Sequence, residues 1–279
     1  MKNSLLVRLL RNRSGMVGMI LIVIYLTAAI LGVFSLLPYS PIEQHVKDRM
    51  QPPSSQYLMG TDEFGRDVFS RVLRGATNSL KVALLSVAAA GLAGIILGAS
   101  AGYVGGRFDN IVMRTMDVFF AFPAILLALA IVAALGANAG NTILAIAIVY
   151  TPIFARVARG PTLSVKATEY VTAARSIGAR NVRILGRHVL PNITAPLIVQ
   201  LSLALSWAIL TEAGLSFLGL GAQPPQPSWG NMLSESRSLL ELAPWMTVFP
   251  GLAIMLCVLG FNLLGDGLRD VLDPRLRSL

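Results

Sequence analysis

Two acidic residues lie in or beside long apolar stretches of this sequence, where an ionisable side chain is costly unless it is paired or hydrated. Asp117 follows Arg114 by one helical turn, and this spacing predicts a local ion pair near the inner membrane face. Glu212 has no charged neighbour at helical spacing. It either faces a water-filled pathway or is buried against a polar group of another helix, so both acids are candidate polar groups of the pathway or the membrane interior.

Residues that usually carry catalysis are scarce in this chain of 279 residues. Its histidines are His45 and His188, both between apolar segments, and Cys257 is its single cysteine. Neither a G-x-x-x-x-G-K-[ST] phosphate loop nor an H-E-x-x-H zinc motif occurs. A membrane enzyme would need a nucleophile and a base that meet across helices, and no such pair can be assembled. We therefore expect no catalytic residue, no metal site and no cofactor in this chain.

The composition is that of an integral membrane protein. Hydrophobic residues make up 54% of the chain and charged residues 13%, with a mean hydropathy of +0.67, whereas about 25% of residues are charged in a soluble domain. The net charge of +9 does not indicate nucleic-acid binding, because the basic residues are spread between apolar segments rather than gathered in one patch.

Six apolar segments approach the length of about 20 residues that a helix needs to cross the hydrocarbon core. They cover residues 15–37, 80–104, 115–135, 142–158, 193–220 and 245–264. Helices are predicted because isolated strands would leave backbone groups unpaired in lipid. The first segment is too long for a cleavable signal and predicts a retained span. The sequence thus predicts an all-α membrane protein with six transmembrane helices.

The distribution of Lys and Arg predicts the orientation of these spans. With both termini in the cytoplasm, sixteen basic residues lie on the inner side and seven on the outer side. Because an excess of Lys and Arg is typical of cytoplasmic connections, we expect both termini inside.

Two connections are long enough to have functions of their own. We expect residues 1–75 to form an amino-terminal tail, the first helix and an irregular outer cap, and residues 76–279 to form a five-helix core with a cytoplasmic segment at 160–191. No internal repeat occurs, which disfavours an ion-coupled carrier built from inverted repeats.

The outer cap alternates acidic and basic residues at helical spacing. These residues are Asp62, Glu63, Arg66, Asp67, Arg71 and Arg74. They either pair with one another on a solvated surface, where each pair contributes about 0–1 kcal/mol, or meet a docking protein.

Glycines recur every four residues along the second apolar segment, at Gly94, Gly98, Gly102 and Gly106. Small residues at this spacing let helix backbones approach closely in lipid. A static contact and a moving interface would both use such a stripe.

The cytoplasmic segment predicts a helix, a turn and a second helix. Residues 169–177 tolerate a helix, Gly178 suits its carboxyl-terminal turn, and Pro191 suits the start of the next span. A short element held close to the membrane suits insertion into a cleft on a partner protein. An ordinary basic loop that only sets topology is the alternative.

Several motifs resemble one family. Ala173, Ala174 and Gly178, followed by the sequence H-V-L-P at 188–191, resemble the coupling motif, often called the EAA loop, of bacterial ABC importer permeases. The stretches G-T-D-E-F-G-R-D (60–67), L-S-F-L-G-L-G (215–221) with P-S-W-G (227–230), and D-G-L-R-D (266–270) with D-P-R (273–275) resemble the dipeptide, oligopeptide and nickel class of these permeases.

This resemblance implies the transmembrane domain of a type I ABC importer in the bacterial cytoplasmic (inner) membrane. It implies four kinds of partner: a homologous second permease, two cytoplasmic ATPase subunits that bind ATP and Mg, a periplasmic or lipid-anchored substrate-binding protein, and membrane lipid. Asp62, Arg66 and Asp67 are expected at the contact with the binding protein. The ATPase-coupling loop would contain Thr172, Ala173, Ala174, Gly178, His188 and Pro191, with Thr172 standing where the family motif has glutamate.

Short peptides are the expected substrate, carried by alternating access. A neutral, adaptable cavity suits a peptide backbone, and Cys257 with two dispersed histidines makes no metal cage. Nickel chelates, glutathione, murein peptides and opine-like compounds are alternatives, because the family imports all of them.

Overall fold

The computed structural model describes residues 5–34 and 36–272. Lys2 of the basic tail and the D-P-R stretch at 273–275 lie outside the described residues. Within the described residues the chain is helical apart from turns, connections and one isolated bridge between Thr61 and Asp67. The α-helices in chain order are α1 (Leu5–Arg11), α2 (Arg13–Val33), α3 (Val68–Val104), α4 (Gly106–Phe120), α5 (Ala124–Leu135), α6 (Ala139–Lys166), α7 (Glu169–Ser176), α8 (Asn181–Ile184), α9 (Thr194–Phe217), α10 (Trp229–Ser236) and α11 (Trp245–Leu272).

Five of these helices are long and apolar enough to cross a membrane, namely α2, α3, α6, α9 and α11. The sixth span consists of α4 and α5, which are bent by 89° relative to each other. Pro123 lies in this break, where it lacks a backbone N–H and restricts the residue before it. The predicted bundle of six spans is confirmed, although the third span is broken rather than continuous.

Three helices, α3, α6 and α11, extend beyond the apolar runs that the sequence marks, whereas α2 and α9 end before theirs do. α3 begins at Val68 rather than near residue 80, because the Asp67 side chain caps it by accepting a hydrogen bond from the backbone N–H of Ser70 at 2.8 Å. α6 continues through Pro161 to Lys166. The first part of the segment predicted as a cytoplasmic loop is therefore helix.

α3 and α6 run side by side in the same direction, and the predicted glycine stripe is their contact. A Cβ atom on Gly98 would overlap the carbonyl of Ala155, and a Cβ on Gly94 would lie 2.5 Å from the carbonyl oxygen of Thr151. Gly102 meets the next turn of α6 in the same way. Gly106 does not belong to the stripe, since it lies past the end of α3 with no atom within 4 Å of an added Cβ.

The remaining spans pack around this pair. α2 lies against α3 and α11, and α9 lies between α11, α3 and α6. α10 is a short helix on the outer side that packs on α9 and α11. α4 and α5 contact mainly α3 and α6, so they form the most open side of the bundle.

Candidate functional site

The cytoplasmic segment folds as the predicted helix and glycine turn. α7 ends at Ser176, and Gly178 adopts a φ of +83°, a left-handed conformation that costs a glycine little. The turn is closed by backbone hydrogen bonds, from Gly178 N–H to the carbonyl of Arg175 at 3.0 Å and from Ala179 N–H to the carbonyl of Ala174 at 3.1 Å. α8 follows after this turn, and a single turn of π-helix, Leu185–Val189, leads toward α9.

This segment has a small hydrophobic core of its own, here called the inner cluster. It joins one face of α7 and α8 to the carboxyl-terminal parts of α3 and α6 and to the start of α9. Its members are Ala99, Tyr103, Ala158, Val171, Ala174, Ile184, Val189, Ile193 and Leu197. Because buried apolar contacts fix the relative positions of packed elements, the inner cluster attaches α7 and α8 to all three spans.

The opposite face of the segment is exposed and apolar at its tip. Ile177 is 86% exposed and Val182 is 84% exposed, on either side of the Gly178 turn. A groove of about 670 Å³ lies beside this turn, lined by Gly178, Ala179, Arg180, Val182 and Arg183. Apolar side chains in a basic groove are typical of a surface that another protein covers. The sequence analysis did not single out Ile177 and Val182, although two large apolar residues flanking a glycine turn were a visible signal.

The predicted coupling residues do not all lie on this exposed face. Thr172 and Ala173 are exposed, and the Thr172 hydroxyl donates a hydrogen bond to the carbonyl of Thr168 at 3.3 Å. Ala174 is 8% exposed and belongs to the inner cluster. Its expected place at a docking surface is therefore wrong, because the helical period turns its methyl group toward Val171 and the spans beneath.

The last two predicted coupling residues lie at the approach to α9. The half-buried ring of His188 lies 6.4 Å from that of Tyr170 on α7. Pro191 is exposed in a 3-10 turn, Leu190–Asn192, immediately before α9. Both residues shape the return of the chain to the membrane rather than the tip of the segment.

Tyr103, near the end of α3, connects this span to both helices of the segment. Its hydroxyl lies 3.0 Å from Oδ1 of Asn181 on α8 and accepts a 3.4 Å hydrogen bond from the Arg175 guanidinium on α7. The same guanidinium lies 5.7 Å from the centre of the Tyr103 ring. The side chain is 5% exposed. Tyr103 was missed in the sequence because its partners are more than seventy positions away.

Three charged residues of the outer cap, Asp62, Arg66 and Arg71, lie together in a buried site. Glu235 of α10 completes this site. Arg66 Nε lies 2.5 Å and Arg71 Nε 3.4 Å from the Asp62 carboxylate. Both guanidinium groups also contact Oε2 of Glu235 on α10, at 2.9 and 2.7 Å. We call Asp62, Arg66, Arg71 and Glu235 the outer ion cluster.

This burial corrects the expectation that Asp62, Arg66 and Asp67 meet a binding protein. Their exposed fractions are 3%, 5% and 2%, so no docking protein reaches them. Asp67 is occupied as the α3 cap, and the other two attach the cap segment to α10. Glu235 was missed because nothing in its local sequence indicates a partner 164 residues earlier in the chain.

Further hydrogen bonds hold the outer cap together. The phenol of Tyr57 donates to the Asp48 carboxylate at 2.9 Å, and the Thr61 hydroxyl donates to the Asp48 carbonyl. Burial, followed by the hydrogen bond to Asp48, raises the pKa of Tyr57 to about 12. The phenol therefore stays protonated and keeps its hydrogen bond to Asp48 across the physiological pH range. A short 3-10 turn, Val46–Asp48, also lies in this region.

Asp117 does not pair with Arg114 as predicted. Its carboxylate accepts a 2.6 Å hydrogen bond from Nη2 of Arg156 on α6, and each side chain is about half exposed. The Arg156 guanidinium lies 4.0 Å from the centre of the Phe120 ring, which holds it against the end of α4. The correct partner lies on another helix, and helical spacing along α4 alone does not reveal it.

Glu212 is buried, so the alternative in which it faces a pathway is wrong. Its side chain is 1% exposed, and Oε1 accepts a 2.7 Å hydrogen bond from the Ser216 hydroxyl one turn later. The hydroxyls of Ser79 on α3 and Ser228 before α10 face the same carboxyl group. No partner satisfies the hydrogen-bond geometry at Oε2 among residues 5–34 and 36–272. Glu212 is therefore a polar group of the helix interior.

In the described part of the chain, no three His, Cys, Asp or Glu side chains lie close enough together to hold a metal ion. Cys257 is buried within α11.

Comparison with known proteins gives matches along nearly the whole chain. The family model "binding-protein-dependent transport system inner membrane component" matches residues 94–278, and "N-terminal TM domain of oligopeptide transport permease C" matches residues 4–53.

Three similar proteins and one solved structure illustrate these matches. The chain is 47% identical to the dipeptide transport system permease protein DppC of Alkalihalophilus pseudofirmus, over 97% of this chain and 89% of that protein. It is 44% identical to the di/tripeptide transport system permease protein DppC of Pseudomonas aeruginosa, over 96% and 90%. Identity to the glutathione transport system permease protein GsiD of Pectobacterium atrosepticum is 50%, over 87% and 81%. The inward-facing MetNI methionine ABC transporter superposes with a TM-score of 0.57 at 19% identity, covering 72% of this chain and 96% of the matched one, which supports the fold.

Proposed function

Because this chain belongs to the family of binding-protein-dependent transport system inner membrane components, we propose that it is the permease subunit through which an ATP-driven importer moves short peptides across the bacterial cytoplasmic membrane. The chain is a multi-pass permease component. Peptide as cargo is supported by full-length similarity to dipeptide and di/tripeptide permeases. Glutathione is the second candidate, supported by the identity to a glutathione permease, and it is itself a small peptide-like solute.

The observation that carries the coupling part of this proposal is the exposed tip of the cytoplasmic segment. Ile177 and Val182 project beside a groove that contains Arg180 and Arg183. Such a tip fits an apolar cleft with acidic edges on an ATPase subunit. ATP and Mg bind in the two ATPase subunits, and closure of those subunits carries the segment and its inner cluster inward.

The full assembly contains a second, homologous permease and an outer substrate-binding protein. The open side formed by α4 and α5 faces the second permease and the pathway between the two. The binding protein docks on the exposed outer surface near Leu58 and Phe64, rather than on the buried outer ion cluster. Both termini lie in the cytoplasm, in accord with the excess of basic residues on that side.

Reconstitution tests the energy source. In proteoliposomes that contain both permeases, the ATPase subunits and the binding protein, uptake of radiolabelled dialanine should require ATP on the ATPase side. Liposomes without ATPase subunits are the control and should show no uptake. Uptake driven by an ion gradient without ATP would instead support an ion-coupled carrier.

Labelling tests the orientation. Ile177→Cys places a thiol at the exposed tip, while the native Cys257 is buried. A membrane-impermeant maleimide should modify this variant in inside-out vesicles that lack the ATPase subunits, and leave it unmodified in intact cells. Leu58→Cys, at an exposed position of the outer cap, is the matched control and should show the reverse pattern. Labelling of Ile177→Cys from outside would contradict the coupling role.

A further inference from the structure

One ion pair between two membrane-spanning segments lies exposed on the surface of the chain. Asp117 and Arg156 are joined at 2.6 Å, yet their side chains are 48% and 49% exposed. Glu212, by contrast, is enclosed. The neighbouring pair of Asp109 and Arg159 is doubly hydrogen-bonded at 2.6 Å, and its acid is only 10% exposed.

The charges of the exposed pair disfavour hydrocarbon as its surroundings. Arg156 lies about 15 Å along the axis from the end of α6 at Lys166, near the inner end of the apolar run at 142–158. On α4 the exposed polar side chains recur at helical spacing, at Arg107, Asn110, Arg114 and Asp117. Charged side chains at the edge of an apolar run face water or a protein partner, because lipid tails do not solvate them.

The pair also lies at the break in the third span. Asp117 is one turn before the end of α4, and the Arg156 guanidinium lies over Phe120 at the start of the break. Non-helical backbone at membrane depth occurs where it is buried in protein or lines a water-filled cavity. Substrate sites of many transporters form at such discontinuous helices.

From this arrangement we infer that Asp117 and Arg156 form a binding site for the two charged ends of a peptide in transit, with the carboxylate of the peptide on Arg156 and its ammonium group on Asp117. The inference rests on the proposed import of peptides. In this inference the permease recognises the charged amino and carboxyl termini, which all short peptides share. It does not distinguish peptides by their side chains.

The exchange of partners is electrically neutral. Each protein group gives up one opposite charge and gains another, so no uncompensated charge is left in the membrane. An exposed ion pair contributes little net stability, and the pair therefore opens readily. The guanidinium fork can bind a carboxylate through two parallel hydrogen bonds while it stays stacked on Phe120.

Capped peptides test this site. In the reconstituted importer, uptake of dialanine, dialanine amide and N-acetyl-dialanine is measured at concentrations that saturate the binding protein. Arg156→Gln should lower dialanine uptake about tenfold, the effect of losing one charge-assisted interaction, and should leave the amide nearly unaffected. Asp117→Asn should show the mirror pattern, with dialanine uptake reduced and N-acetyl-dialanine uptake preserved.

Arg114→Gln is the matched control, because Arg114 is an exposed arginine one turn from Asp117 on the same helix. It should keep the wild-type preference among the three probes. Because the same binding protein is used with every variant, a changed preference among the three peptides must arise from the permease. Unchanged dialanine uptake in Arg156→Gln, or an equal fall for all probes, would overturn the site. Failure of the wild-type complex to import dialanine with ATP would instead overturn the proposed function.

Discussion

Two substitutions at Gly178 test separately the shape and the charge of the exposed tip of the cytoplasmic segment. The φ of +83° at Gly178 is a conformation that Asn and Asp tolerate better than other non-glycine residues, and an added Cβ would have no atom within 4 Å. Gly178→Asn should therefore keep most ATP-dependent uptake. Gly178→Asp has nearly the same shape, but it places a carboxylate in the basic groove and against the acidic edges proposed for the ATPase. We expect it to lower uptake at least about tenfold, the effect of one unfavourable charge contact.

The measurement is uptake in proteoliposomes, normalised to the amount of permease inserted in the membrane. Both variants should insert at wild-type levels, because Gly178 packs against nothing in the described residues. Equal transport by the Asn and Asp variants would remove the charge-dependent docking role of this turn.

The sequence predicted the structural role of a residue only where that role depends on the residue itself or on a neighbour close in the chain. Gly178 was predicted as a turn because its role depends on its own backbone angle. The partners of Asp117 and Glu235 were not predicted, since Arg156 and Arg71 reach them from 39 and 164 positions away. The sequence also suggested a solvated surface for the outer charges, because burial is a property of the packed helices and not of the residue types.

At the scale of elements, the contact between α3 and α6 depends on the absence of side chains at three glycines. Gly98→Ala should force the two backbones apart, because its Cβ would overlap the Ala155 carbonyl, and overpacking of this kind costs about 1–3 kcal/mol. Gly160→Ala is the matched control. Gly160 lies within α6, and an added Cβ there would meet nothing within 4 Å outside its chain neighbours; because Pro161 follows it and offsets the gain in helix propensity, alanine should change the stability little.

Thermal unfolding of the purified permease in detergent distinguishes the two glycine variants. The midpoint should fall for Gly98→Ala and change little for Gly160→Ala. A lowered midpoint in both variants would mean that the effect of Gly98→Ala does not come from the close contact between the α3 and α6 backbones.

The outer ion cluster makes a second prediction for elements, since Glu235 on α10 holds Arg66 and Arg71 in place. Glu235→Ala leaves two buried guanidinium groups with only the Asp62 carboxylate. Removing one partner from a buried charge network costs about 3–5 kcal/mol. The variant should unfold at a clearly lower temperature and expose the outer cap to protease. Glu241→Ala, at an exposed acid nearby in the chain, should change neither property; an unaltered Glu235→Ala variant would show that the cap is held in another way.

Hydropathy predicted the number of spans but not their lengths, because it detects lipid-compatible runs rather than helix ends. The caps decide the ends, as Asp67 does for α3. The break in the third span had a visible signal in Pro123, yet the apolar run continues on both sides of it and conceals the 89° bend. The continuation of α6 beyond the predicted limit likewise needed the packed structure.

Across the whole molecule, α3 links the outer cap to the cytoplasmic segment. It has 37 residues, a length of about 55 Å, with Arg71 of the outer ion cluster near one end and Tyr103 near the other. A rigid helix with specific contacts at both ends can carry movement between two surfaces. In the proposed importer this movement is that of α7 and α8, which contact α3 through the Tyr103 hydroxyl and the inner cluster.

Removing that hydroxyl tests the link without disturbing the ring. Tyr103→Phe loses a neutral hydrogen bond to Asn181, which contributes about 0.5–1.5 kcal/mol, and a long charge-assisted bond from Arg175, so uptake should fall roughly two- to tenfold. ATP hydrolysis by the assembled importer should continue, because the docking tip is unchanged. Tyr39→Phe removes a hydroxyl that donates to the Gln56 carbonyl in the outer connection, and it should alter neither activity. If uptake and hydrolysis fell in parallel in Tyr103→Phe, the tyrosine would contribute to docking or assembly, and movement of the segment would reach α3 by the apolar contacts of the inner cluster alone.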